Sequence, residues 1–383
     1  MEKLMQLIAN LTVGKSYNTE KYSYDAIGTP AFDYDSEEPK IMNLHTNGET
    51  EKHKETVPLR DKLEKVAERP LIKFFLDGSR HVYKVDDISY NKRVYPVLAG
   101  QVGVGCCSRV NGRMRPEKFY RRLVLALPKV SNSGGWSDEG VFGAWTSKLN
   151  ESPLLKRLNL KFSTILPYSM PKNGQKDKVE DSGIACIQDY MIESEKEMVA
   201  ELVKEKRFDQ EYLLKDGSLE YKPVRRGRVD FRELRKIKNN YRWVIGVSKS
   251  FNPESVLDNT GKPNGNYLAD LPLYHRTPVA LYENEFLGDV QFAVWYVRIR
   301  DKSRTRTPFD GVLKVEKILM DNEMNSGIES ETIDILSANL INERMPTCYG
   351  TDRRWANHLY PVFLTESFVK SQYISAELFL NLF

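Results

Sequence analysis

The chain has few of the residues that hold soft metals or staple secreted folds. Its 383 residues include four cysteines and five histidines. The cysteines, Cys106, Cys107, Cys186 and Cys348, form no C-x-x-C pair, which argues against a Cys/His zinc framework. Adjacent and scattered thiols fit a reducing compartment better than a disulfide-stapled fold. Long apolar runs are also missing. No stretch approaches the ~18 apolar residues of a membrane span. The opening MEKLMQLIANLTVGKS lacks the basic start and small-residue cleavage site of a signal peptide. The expectation is a cytoplasmic protein with no membrane association. An excess of one charge sign is absent too: 57 Lys and Arg stand against 53 Asp and Glu, a net of +4. That excludes a histone-like tail. With 40% hydrophobic residues, global disorder is excluded as well.

What is present is an alternation of strand-like and helix-like segments. Residues 1–69 read as an N-terminal extension and residues 70–383 as one α/β domain. The first dozen residues are spaced as a short amphipathic helix, and the polar stretch from Ser16 to Val57 reads as loop. The apolar run Leu71–Leu76, then Asp77-Gly78-Ser79-Arg80, then the alternating His81–Val85, predicts a strand, a tight turn and a strand. Val94–Val104 and Arg121–Val130 predict further strands, and the Gly/Ser/Trp-rich residues 131–150 a loop. Residues 184–206 are the strongest helix, followed by a second helical pattern at 229–240. Trp243–Val247 reads as a buried strand. Residues 290–300 and 311–319 read as a strand pair around a basic, proline-containing turn. The chain is expected to close with a short strand, Pro361–Leu364, and a helix, Glu366–Leu382.

Three carboxylates stand out. Two apolar strands lead into Asp-Gly-Ser, at Asp77 and at Asp216. An Asp at a strand end lies on the sheet rim, where α/β folds build sites. The same triplet is also an ordinary turn in which Asp bonds its own backbone. Glu195 has Met191 and Ile192 one turn before it and Met198 and Val199 one turn after, so it lies on the apolar face of its helix. A carboxylate there needs either a Lys or Arg partner or a metal. Glu193, Glu197 and Glu201 fall towards solvent. Two aspartates and a glutamate on one rim would form a hard-oxygen site suited to Mg²⁺ or Mn²⁺. Two such ions would serve phosphodiester hydrolysis.

In their order along the chain these segments resemble the NurA-type nucleases that partner HerA-type ATPases. The landmarks are FFLDGSR (74–80), the acidic helix with YLLKDGSL (212–219), WVIGVSKS (243–250), the strand pair 290–317 and LYPVFLTESF (359–368). The resemblance implies an RNase H-like mixed sheet flanked by helices. It also implies cleavage of DNA with two Mn²⁺ (or Mg²⁺) ions, and a homodimer docked on a hexameric HerA-type translocase in a prokaryotic cytoplasm. Asp77 and Asp216 become metal ligands, with Glu195 as the helix ligand, and Tyr360 matches the family tyrosine. Where the family carries a histidine, this chain has Phe368; Glu366 is the nearby substitute, with His358 a further candidate. That departure opens a second reading, a catalytically decayed DNA-binding or assembly subunit.

Basic residues cluster in two places. Residues 222–242 carry Arg225, Arg226 and Arg228, and residues 298–306 carry Arg304. With Arg80 they suggest a phosphate track; an isolated cluster reads first as a solvated face, and it is the two together, beside the candidate strands, that make the track an equal reading. Lys249, at a strand end, is placed to steady a phosphate or a carboxylate. Tyr241, Trp243 and Trp355 are either base-stacking or core aromatics. The apolar N-terminus and the C-terminal Ile374, Leu378, Leu380, Leu382 and Phe383 are expected to form docking surfaces.

Overall fold

A computed structural model describes residues 3–17, 19–24, 42–43, 48–132, 134, 137–170, 178–207, 210–220, 231–258, 260–283, 290–346 and 355–383. Its backbone is organised by a long meander: β1 (Ile72–Tyr90), β2 (Arg93–Val110) and β3 (Arg113–Pro128), antiparallel neighbours in that order. The turns are two-residue hairpins with left-handed backbone. Asn91 and Lys92 have φ of 50° and 65°, and Asn111 and Gly112 have φ of 50° and 72°.

The first Asp-Gly-Ser is therefore not a turn, contrary to expectation. It lies inside β1, with Asp77 opposite Gly105 and Gly78 opposite Val104. The turn tendency of Asp-Gly is local. An unbroken ladder from Phe74↔Ser108 to Lys84↔Leu98 outweighs it.

The remaining main strands are β4 (Phe162–Tyr168), β5 (Tyr212–Asp216), β6 (Val244–Ser248), β7 (Gln291–Arg298) and β8 (Val312–Ile318). The main helices are α1 (Leu4–Thr12), α2 (Asp138–Asn150), α3 (Val179–Lys204), α4 (Phe231–Asn240), α5 (Ser330–Asn342), α6 (Tyr360–Ser371) and α7 (Ala376–Leu380). Among the described residues these strands belong to one 13-stranded sheet with the order β7-β8-β6-β5-β1-β2-β3-β4. β5 pairs in parallel with β1, β6 in parallel with β5, and β8 antiparallel to β6. The meander is continued beyond β1 by two strands that run parallel to it, β5 and β6, reached through α3 and α4, which gives the mixed sheet flanked by helices that was expected. Among the described residues no helix is long and apolar enough to cross a membrane.

Both faces of β1 are buried, which explains its nearly continuous apolar run. Phe74, Leu76 and Val82 pack with Ile187, Met198, Val199 and Leu202 of α3. Phe75 faces the other way, into a core with Ile333, Leu336 and Leu340 of α5 and Val362 of α6. Helix α6 lies close on this second face because Gly105 has no side chain. A Cβ there would stand 2.5 Å from Cγ2 of Val369.

Three further expectations change. Residues 138–150 are helix α2, because Ser137 Oγ accepts from the Gly140 N–H and acidic Asp138 and Glu139 occupy the first turn. Tyr360–Ser371 is one helix, with Pro361 in its first turn, where no intrahelical N–H is needed. The apolar N- and C-termini are not free docking surfaces. Leu4, Met5 and Ile8 of α1 share a core with Phe379, Leu382 and Phe383, and Lys21 Nζ donates to the Phe383 carbonyl at 2.8 Å. Of the expected C-terminal residues, Leu378 is exposed.

The N-terminal residues are stitched to the rest. Lys15–Ser16 and Tyr22–Ser23 pair with β1, and Val57–Pro58 pairs with His275–Arg276. The fully buried Arg276 holds both Glu49 oxygens, at 3.1 and 2.8 Å, and Asp334 at 2.5 Å.

The close seat of α6 yields a test. Gly105→Ala should destabilise the fold by about 1–3 kcal/mol through overpacking against Val369. Denaturant unfolding reads this directly, and an unchanged midpoint would show that α6 is not seated there.

Candidate active site

Pairing register builds the site. The last β1–β5 pair is Leu76↔Lys215, so Asp77 and Asp216 come next on adjacent strands. Asp216 is opposite Val247 of β6, and Lys249 follows two residues later on the same face. β5 and β6 end here while β1 and β2 continue, leaving a step in the sheet at the carboxyl ends of two parallel strands. Crevices of this kind are where open α/β sheets place their chemistry.

Asp77 points towards α6, the face that its partner Gly105 opens to Val369 and Phe368. It is 6% exposed. Burial raises its proton affinity well above the carboxylate range. Neighbouring Asp216 adds to the rise, Lys249 opposes it, and Glu366 and Glu195 contribute further. Three acids therefore share this face: Asp77, Asp216 and, from α6, Glu366. The Lys249 ammonium lies 2.8 Å from Asp216 Oδ2. Burial alone would lower its pKa, but Asp216 and Asp77 outweigh it and hold the pKa above the ordinary lysine value. Asn357 fixes the strand end by donating to the Lys249 carbonyl at 2.5 Å.

Glu195 is buried, as its helical spacing predicts, but it approaches from the α3 face. Its Oε1 lies 2.2 Å from where a Gly78 Cβ would be, so any other residue at 78 would displace it. Its Oε2 lies 3.2 Å from Lys215 Nζ, an ion pair without hydrogen-bond geometry. Burial raises the Glu195 pKa, Lys215 counteracts, and Asp216 adds to the rise. The lysine partner and the proximity to the aspartates thus occur together. Glu193, Glu197 and Glu201 are solvent-side, paired with Lys196, Arg122 and Lys118.

The predicted basic residues divide. Arg80 points to the α3 face, where its Nε donates to Gln188. Arg304 is exposed in the turn between β7 and β8. Arg225, Arg226 and Arg228 lie outside the described residues. Tyr360 is 45% exposed at the start of α6. Tyr241 is core, and Trp243 packs edge-on against Tyr212 at 5.3 Å. Arg300 stacks over Trp355 at 5.0 Å, and His358 is buried. Phe368 packs edge-on against Phe119, with ring centres 5.5 Å apart.

Of the buried charges that went unpredicted, Lys215 and Glu316 lie beside the Asp216 turn. The available signal was a charged residue at an inward strand position, in Leu213-Leu214-Lys215 and in Val315-Glu316-Lys317.

The donor set consists of acid oxygens, which suits a hard cation. Among the described residues, however, no group of three His, Cys, Asp or Glu side chains is spaced to hold an ion as it stands. Lys249 supplies the positive charge beside Asp216 instead.

Among solved structures, this chain is similar to the NurA nuclease from Sulfolobus solfataricus. The match covers 81% of this chain and 86% of that one, at 10% identity and a TM-score of 0.39. No family model and no curated protein matches the chain.

The buried Asp77 makes a sign-definite prediction. Its raised pKa means that its protonated form favours the fold. This stability is present below the ordinary carboxylate range and lost as pH rises through the folded-state value. Asp77→Asn should therefore raise the melting temperature by roughly 1–3 °C at pH 8 and by much less near pH 4. Equal shifts at both pH values would contradict the charge argument.

Proposed function

We propose that the chain is a metal-dependent deoxyribonuclease that hydrolyses phosphodiester bonds in DNA. The observation that carries this reading is the placement of Asp77 and Asp216 side by side at the sheet step, with Lys249 on Asp216 and Glu366 of α6, paired with Lys370, close enough for its charge to act on Asp77 and Lys249. Burying like-charged carboxylates together is costly unless a cation joins them. Lys249 meets part of that cost on Asp216, and the buried Asp77 beside it is the reason to read the cluster as a cation site rather than as fold support.

In this reading Asp77, Asp216 and Glu366 hold Mn²⁺ or Mg²⁺, with Glu195 behind Gly78 as a further acid. Bound ions supply an activated water and charge neutralisation at the cleaved phosphate. Lys249 holds Asp216 Oδ2, and displaced from it by a bound cation its charge would be available to a phosphate oxygen. Arg304, Tyr360 and the basic residues Arg225, Arg226 and Arg228 extend the track along which DNA lies. We further propose that the chain acts as a homodimeric nuclease subunit beside a HerA-type hexameric ATPase, in DNA end processing or phage defence.

A second reading, a decayed DNA-binding or assembly subunit, draws on Phe368 packed against Phe119 and on Lys249 seated on Asp216. Activity separates the two. Mn²⁺-dependent degradation of linear DNA should fall at least 100-fold in Asp77→Asn and Asp216→Asn, and at least tenfold in Glu366→Gln. DNA affinity should stay within about threefold, because these residues are not phosphate contacts. Wild-type protein that binds DNA but never cuts it would establish the second reading.

A further inference from the structure

The Asp216 turn is clamped from below by residues that do not face the three acids. After Asp216 the chain reverses at Gly217 (φ 90°), whose N–H donates to the Val247 carbonyl at 2.9 Å. The turn then folds over Gly246, where a Cβ would stand 2.7 Å from Leu219 Cγ. One buried carboxylate on β8 receives it. Glu316 Oε2 accepts from Ser218 Oγ and from the Leu219 N–H, both at 2.7 Å. Glu316 Oε1 lies 2.7 Å from Lys314 Nζ, which neutralises it. From the other side Lys215 Nζ donates to the Asp216 carbonyl at 2.9 Å and the Ser218 carbonyl at 3.2 Å. Glu195 pairs with that same Lys215.

These contacts form one chain, Glu195–Lys215–turn–Glu316–Lys314, and the backbone carrying Asp216 is its centre. A surface Asp-Gly turn needs no such support. A buried anion devoted to two donors of the turn is costly in itself, and what it fixes is the direction in which Asp216 leaves the sheet. We propose that Glu316 is a positioning residue for Asp216, acting through Ser218 and Leu219, with Lys215 as the opposing half of the clamp. This deepens the cation-site reading and rests on it. Residues that orient metal ligands commonly change affinity by about 10–100-fold when altered.

The test is Mn²⁺ calorimetry on the full chain, with thermal unfolding recorded on the same samples. Glu316→Gln should weaken Mn²⁺ binding roughly tenfold and lower kcat with KM for DNA nearly unchanged. Ser218→Ala, which removes the hydrogen bond to Glu316 and the one accepted from the Glu220 N–H but leaves Glu316 paired with Lys314 and the Leu219 N–H, should weaken binding roughly two- to fivefold. It supplies the answer should Glu316→Gln fail to fold. Variants that melt earlier yet bind Mn²⁺ with wild-type affinity would make Glu316 purely structural and overturn the proposal. Asp216→Asn separates the two levels. If it abolishes Mn²⁺ binding while Glu316→Gln and Ser218→Ala do not weaken it, the clamp is wrong and the cation site stands. If wild-type protein binds no Mn²⁺, the site reading fails and the clamp fails with it.

Discussion

Parallel pairing of β1 with β5 places Asp77 beside Asp216, and the rest of the site is arranged around that repulsion. Adjacent strands are about 4.8 Å apart, so two anions in this register repel strongly once water is removed. The structure answers with one buried cation, Lys249, whose ammonium reaches Asp216 and whose charge also acts on Asp77. Slipping the pairing by one residue would turn one aspartate to the opposite face and end the repulsion. That the register is kept, with apolar residues before it on both strands, makes it the defining constraint of this part of the molecule.

The two faces of the sheet divide the work. On one, Gly105 admits α6 and brings Glu366 towards the aspartates. On the other, Gly78 admits Glu195 of α3. A missing side chain is thus what lets each helix bring an acid close to the strand. Neither glycine serves as a turn residue. The clamp beneath the second Asp-Gly-Ser shares this economy, since Lys215 touches both Glu195 and the turn that carries Asp216.

Local signals in the sequence carried the long central helix and the burial of its glutamate. Met191, Ile192, Met198 and Val199 locate Glu195 on a buried face, and α3 buries it there. Apolar runs locate β5 and β6. The first Asp-Gly-Ser misleads because it has real turn chemistry, and it is the partner strand, with Asp77 opposite Gly105 and Gly78 opposite Val104, that keeps it extended. The hairpin turns lie instead at Asn91-Lys92 and Asn111-Gly112. Residues 138–150 hide a helix because their glycines suggest loop while Ser137 supplies a cap. The terminal apolar residues look free in one dimension. In the fold each terminus covers the other. The division of the acids between two faces was out of reach for the same reason, since it depends on the register between distant strands.

On the proposed reading, the same register lets a nearly neutral chain serve a polyanionic substrate. The +4 total conceals acids gathered at one step of the sheet and arginines and lysines gathered elsewhere. A cation site joined to a basic track requires this separation, whereas a decayed site would have no reason to keep the buried acids together. The most direct measurement is an anomalous-scattering map of crystals soaked in Mn²⁺. The account predicts manganese bound between Asp77, Asp216 and Glu366, with Lys249 moved off Asp216. A map with no manganese at these residues, and Lys249 still paired to Asp216, would contradict it.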